Sequence, residues 1–181
     1  VEQSSSFGTS WDIVEGMEYD RGYVSPFMIN DDVKLESDTV KPLILVTDAN
    51  ISSTFEIGNL VETLVNDGEK ELVIFCNSFE GNALISAVQS RIKGLINITA
   101  IQAPGVGENR DYVLEDIAIA TGASFISTEK GMKLKEVGID QLGCADRVIV
   151  GKGYTRIVGG HGDIEKIEAR KKLLQEQIDK S

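Results

Sequence analysis

Three short strand-like runs, separated by segments of helical periodicity, restrict this chain more than any other feature. Pro42-Leu-Ile-Leu-Val-Thr47 and Leu72-Val-Ile-Phe-Cys76 are apolar runs too short for helices, and Ile96 to Ile101 reads as a third strand. Continuous apolar runs of this length suit strands buried on both faces, because a strand with one wet face alternates apolar and polar residues. Between the first two runs, Ser52 or Ser53 can cap a helix, and Glu56 three residues after Ser53 completes a capping box. It predicts a helix running to about Asp67 and stopping at Gly68. Between the second and third, a helix is expected from about Gly81 to Lys93, ended by Gly94. A third helix, Asn109 to Thr121, closes at Gly122 and leads to a strand from Ala123 to Ile126. This alternation predicts an α/β fold with a mixed central sheet and flanking helices.

The ends of the chain read as hairpins and a helix. Trp11, Ile13 and Val14 alternate with polar residues as a short strand, and Val33 to Glu36 reads as a second strand or hairpin arm. Val148 to Val150 and Tyr154 to Val158 form a hairpin across Gly151-Lys-Gly153. Asp163 to about Asp179 is a long, charged final helix with Ile164, Ile167, Leu174 and Ile178 at helical spacing. A length of 181 residues with no linker or repeat fits one domain.

Charge and cysteine content exclude several function classes. A net charge of −11 argues against nucleic acid, which needs a basic face to neutralise phosphates. Arg170-Lys-Lys172 sits among acidic neighbours late in a helix and reads as a solvated face. Cys76 and Cys144 are far apart, so neither a zinc site nor a redox dithiol is expected, and free thiols suit a reducing compartment. No signal-peptide pattern and no membrane-length apolar run is present in the sequence, and its start without Met suggests an excised fragment.

The stretch from Glu15 to Asn30 concentrates the unusual residues. Gly16 and Gly22 allow tight turns, and Pro26 pushes Ser25 out of the helical region, so a stiff, extended loop is expected. It carries Tyr23, Phe27 and Met28, three large apolar side chains that either plug a core or face a partner. On the helix after Ser53, residues step by about 100°. Ile57, Leu60, Val61, Leu64 and Val65 then span an arc of about 140°, wider than a core stripe requires, which leaves apolar surface beside the core. On the helix after Gly81, Leu84 and Val88 lie near one edge and Ile85 and Ile92 near the other, an arc that a plain core stripe explains.

The run Glu15 to Asn30 resembles the start of the apical domain of a GroEL-type (group I) chaperonin. The resemblance returns at Glu80-Gly-Asn-Ala-Leu84, Ala103-Pro-Gly-Val-Gly-Glu-Asn-Arg110, Asp116-Ile-Ala-Ile-Ala-Thr-Gly122 and Asp146-Arg-Val-Ile-Val150, in the family's order and near its spacing. It implies a single layered β/β/α domain over residues 15–181, including the long final helix, with residues 1–14 leading from an intermediate domain. It also implies an apolar groove that captures non-native polypeptides and docks the mobile loop of a GroES-type co-chaperonin. The binding residues it assigns are Tyr23, Phe27 and Met28 on the loop, Val61 and Val65 on the first helix, and Leu84, Val88 and Gln89 on the second. Arg21 is assigned an interdomain contact. The parent protein would be an ATP-driven double ring of a bacterial cytoplasm or an organellar matrix or stroma. ATP and magnesium would sit in a separate equatorial domain, so this fragment is expected to be monomeric, without cofactor, metal or enzymatic activity. The sequence departs from the family at Gly58 and Gln89, where bulky aliphatic residues are usual. It departs again at Asn82 and Lys93, where a Glu and an Arg usually pair across subunits, and at Phe27-Met28, which replaces two aromatics.

Other motifs carry weaker chemistry. The Gly105–Gly107 loop precedes a helix, but it lacks the P-loop Lys and places Glu108 where a phosphate would sit, so a structural turn is expected. His161, the single histidine, stands in a glycine-rich loop with no nucleophile motif. With 29 acidic residues, chance proximity accounts for pairs such as Glu15 and Glu18. Two alternatives remain: an α/β small-molecule or nucleotide-binding domain using the Gly105–Gly107 loop, and a structural subunit whose apolar loop is buried against its own core.

Overall fold

The computed structural model describes residues 17–103 and 108–160. The strand expected over 11–14, the glycines 105 and 107, His161 and the helix expected over 163–179 lie outside the described residues. In chain order the elements are β1 (Met17–Tyr19), β2 (Ser37–Val40), β3 (Leu43–Thr47), β4 (Asn50–Ile51) and α1 (Thr54–Asn66). They continue with β5 (Glu71–Cys76), β6 (Ser78–Phe79), α2 (Gly81–Ile92), β7 (Asn97–Gln102) and α3 (Glu108–Thr121). β8 (Phe125–Ile126), β9 (Gly143–Val150) and β10 (Thr155–Gly160) complete the series.

Eight strands form one mixed sheet in the order β1-β10-β9-β3-β5-β7, with β2 paired to β9 and β8 to β3. β3, β5 and β7 run parallel: Leu43 pairs with Leu72 and Glu71 with Asn97. β1, β2, β9 and β10 make the antiparallel half. The continuous apolar runs are explained by the burial on each side. Leu45, Leu72, Ile74 and Ile98 pack with Ile57, Leu60 and Leu64 of α1 and with Ala83 and Ala87 of α2. Their chain neighbours Ile44, Val46, Val73 and Phe75 join Leu114, Ile117 and Ala118 of α3 in a second cluster. Helices on both faces leave no wet side to the parallel strands, so a period-2 pattern has no reason to show.

Both capping predictions hold. Ser53 caps α1 by accepting from the Phe55 N–H at 3.2 Å, and Glu56 Oε1 accepts from the Ser53 N–H at 3.1 Å. The helix stops where expected: the Glu69 N–H bonds Leu64 O and the Gly68 N–H bonds Val65 O, with Gly68 at φ 81°.

Two sequence expectations are corrected. Residues 33–36 are not a strand but a turn, because Asp31 Oδ1 accepts from the N–H groups of Val33 and Lys34, and Asp31 and Glu36 close the loop backbone to backbone. An aspartate that satisfies the following N–H groups competes with strand pairing. The strand expected at Ala123 starts only at Phe125, because the Ala123 N–H is used to end α3 on Ala118 O at 2.8 Å.

Candidate functional site

The short parallel pair β4–β6 sets α1 and α2 side by side. Asn50 pairs with Ser78 and Ile51 with Phe79, and the Glu80 N–H donates to Ile51 O at 2.9 Å. Ser52 O then accepts from the Ala83 N–H at 3.4 Å, so the first turn of α2 is tied to the residue before the α1 cap. At the far end, the Leu95 N–H bonds Ser90 O and the Gly94 N–H bonds Arg91 O, with Gly94 at φ 72°. This paired bond turns the chain so that Leu95 comes back beside the helix.

Between the two helices lies an open groove of about 250 Å³. Val61, Val65 and Gly58 line it from α1, Ser86 and Ser90 from α2, and Leu95 closes one end. Val61 and Val65 are half-buried and pack against the core cluster, while Leu60 at 2% exposure and Leu64 at 0% are sealed. The surplus apolar edge expected of α1 is therefore the edge that faces the groove. Glu62 is the charged residue of the lining. Gly58 stands in mid-helix at an ordinary φ, where a glycine costs about 1 kcal/mol relative to alanine.

The other predicted binding residues are distributed differently. Met28 is a correction: it is 1% exposed in the core, where its Sδ accepts from the Ala100 N–H at 3.3 Å, so it faces no partner in this state. The reason is the turn itself. Ser25 is extended, as Pro26 requires, and its Oγ caps a single 3-10 turn, Pro26–Met28, that packs against β7 and α2 and drives Met28 inward. Tyr23 is half-buried against both core clusters and bridges Ile101, with the Val24 N–H donating to Ala100 O at 3.0 Å. The loop thereby covers the edge of β7. Phe27 points outward at 71% exposure.

On α2 the core stripe is Ala83 and Ala87, not the arc edged by Leu84 and Val88 on one side and Ile85 and Ile92 on the other. Leu84 and Val88 are half-buried and lie on the flank of α2 turned about 160° from Ser86 and Ser90, so they stand outside the groove lining. Gln89, Ile85 and Ile92 are exposed. The structure thus brings Val61 and Val65 together and leaves Tyr23, Phe27, Leu84, Val88 and Gln89 off that groove. Leu95 and the serines of α2 were missed; an apolar residue directly after a helix-ending glycine is the signal that pointed to Leu95. Arg21 is exposed and forms no ion pair with a described residue, and Asn82 and Lys93 are exposed.

Among the described residues, Glu62 is the one titratable side chain of the groove lining. Burial pushes the Cys76 thiol far above its ordinary range, and burial followed by the charge of Asp146 raises Cys144. Burial lowers the Arg91 guanidinium, whose Nη2 donates to Thr99 Oγ1 at 3.3 Å and anchors α2 to β7. Among the described residues no group of His, Cys, Asp and Glu is arranged to hold a metal ion, and no helix is long and apolar enough to cross a membrane. No family model matches the chain.

Proposed function

We propose that this domain captures non-native polypeptides on the groove between α1 and α2, as the apical domain of a GroEL-type chaperonin does. The observation that carries the reading is the half-buried pair Val61 and Val65, which stays open to solvent beside a sealed core. Apolar area left in contact with water is recovered when a client covers it, at about 25 cal/mol per Å². Such capture reads area rather than sequence, which suits chains that have lost their fold. A co-chaperonin mobile loop docks on the same surface and displaces the client. The apical type of this α/β architecture belongs to the same proposal.

The parent protein is an ATP-driven double ring in a bacterial cytoplasm or an organellar matrix or stroma. Its nucleotide and magnesium sites lie in another domain, and this fragment needs neither. Arg21 contacts an intermediate domain, and Phe27 adds exposed apolar area to the client surface. Monovalent capture is weak, and the ring multiplies it by avidity.

The reading is tested by binding of a chemically unfolded, alkylated model protein to the chain, with and without a co-chaperonin loop peptide. Binding that the peptide competes away supports a shared site. Absence of binding, or a nucleotide-dependent rise in melting temperature, supports a ligand-binding α/β domain instead.

A further inference from the structure

The far flank of α1 carries a second surface. Phe55 and Glu56 of its first turn, with Thr128, Lys133, Leu134 and Lys135, line an open depression of about 290 Å³ that shares no lining residue with the groove toward α2. Residues step by about 100° along the helix, which sets Asn59 about 160° around from Val61. Asn59 Nδ2 donates to Lys135 O at 3.5 Å and so fastens the 3-10 turn Leu134–Glu136 to this flank.

The floor of the depression is apolar and its rim is positive. Leu134 is buried, whereas Phe55 is 87% exposed although its N–H is held by the Ser53 cap. The lining groups other than the lysines are already engaged: Glu56 Oε1 accepts from the N–H groups of Ser52 and Ser53, and Thr128 donates its N–H and hydroxyl to Asp48. Lys133 and Lys135 are exposed and form no ion pair with a described residue, while Arg110, Arg147 and Arg156 are paired with Asp111, Asp38 and Glu18. With Lys130 they make three lysines in six residues, in a chain whose net charge is −11.

We propose that this face docks an acidic segment of a partner protein. One aromatic side chain of the segment lies against Phe55 and Leu134, and carboxylates on either side of it meet Lys133 and Lys135. The site is separate from client capture in the α1–α2 groove and does not depend on it. An exposed aromatic ring on a capped, rigid backbone is the kind of residue that anchors interfaces. Charge selects the partner: the acidic surface repels such a segment elsewhere, and the unpaired ammonium groups are where it can approach. The space suffices for one ring, since an apolar cavity of about 150 Å³ already holds benzene.

The test is fluorescence anisotropy with the full 181-residue chain and a fluorescein-labelled peptide, Gly-Asp-Glu-Phe-Glu-Asp-Gly. One comparison peptide carries the matching amides in place of its acids, and another carries Ala in place of Phe. The acidic peptide is expected to bind roughly fivefold or more tightly than the amide peptide, and Lys133→Gln with Lys135→Gln to abolish that preference. Lys133→Arg with Lys135→Arg keeps the charge and is expected to keep the preference. Phe55→Ala is expected to remove the advantage of Phe over Ala, roughly threefold in the wild type. Circular dichroism shows that each variant is folded, and the single Lys133→Gln and Lys135→Gln variants, each expected to lose part of the preference, serve if the double variant is not. Equal binding of acidic and amide peptides, retention of the preference by a folded double Gln variant, or no binding overturns the site. Tighter binding of a single-stranded oligodeoxythymidine than of the acidic peptide also overturns it, because the lysines would then read any polyanion.

Discussion

Leu64 is sealed at 0% exposure, whereas Val65, the next residue of α1, is half-buried and faces the groove. The two side chains have different tasks, and truncation separates them. Leu64→Ala leaves a cavity beneath α1 and is expected to cost about 2–5 kcal/mol. Val65→Ala removes less buried area, so a loss below about 1.5 kcal/mol is expected. Urea denaturation of both variants checks the difference, and equal losses would mean that Val65 is core.

Met28 belongs with Leu64. Met28→Ala is expected to destabilise the chain by about 2–5 kcal/mol, through the cavity it leaves and the lost contact with the Ala100 N–H. Phe27→Ala, at an exposed position, stays within about 0.5 kcal/mol. Thermal melts of the two variants measure this, and a matching loss for Phe27→Ala would show that the exposed ring is covered.

Gly58→Ala is expected to stabilise. The helix gains about 1 kcal/mol of propensity and the added methyl meets open space, so Tm rises by about 2–4 °C for a chain of this size. A fall in Tm would reveal a steric role for the glycine.

Asp48 ties the end of β3 to the turn after β8. Its carboxylate accepts from Ser127 Oγ at 2.8 Å, the Thr128 N–H at 2.7 Å and Thr128 Oγ1 at 2.8 Å. Burial pushes its pKa up, but these hydrogen bonds and the charge of Arg110 outweigh burial and hold it below the ordinary aspartate value. The folded state therefore favours the ionised form. Its contribution is complete above the unfolded value of about 3.9 and is lost as pH falls through the lowered folded value. Asp48→Asn is expected to lose about 1.5–3 kcal/mol at pH 7. It is also expected to show a flatter decline in stability than the wild type below about pH 4. Denaturation curves across that range check both parts, and parallel acid limbs would remove Asp48 as a source of the pH dependence.

How far the fold could be read from the residues follows from how local each signal is. Ser53, Glu56, Gly68 and Gly94 act within a turn of helix, so α1 and α2 stand within a residue or two of their expected bounds. The buried strands were legible because helices on both faces demand unbroken apolar runs. The pair β4–β6 was not, since two-residue strands leave no periodicity, and the turn that Asp31 and Asp32 mark runs on where an arm from Val33 was expected, because the hydrogen bonds of one aspartate leave no pattern in the sequence. The groove was half legible. The wide apolar arc on α1 left one edge to spare, either Leu60 with Leu64 or Val61 with Val65, without saying which, and the rotation of α2 about its axis depends on Ala83 and Ala87, small residues that an apolar-pattern reading passes over. Met28 was misread because a single 3-10 turn after Pro26 reverses which side chain faces the core.

The most direct test pairs Val61→Glu with Val65→Glu in one variant and measures retention of a chemically unfolded, alkylated client by the chain. Circular dichroism and Tm on the same sample show that the fold is kept. The account predicts client binding by the wild type and at least a roughly tenfold loss in the double variant, because two carboxylates replace the apolar wall that a client must cover. Undiminished binding by a folded double variant would contradict it and move the client surface away from the α1–α2 groove.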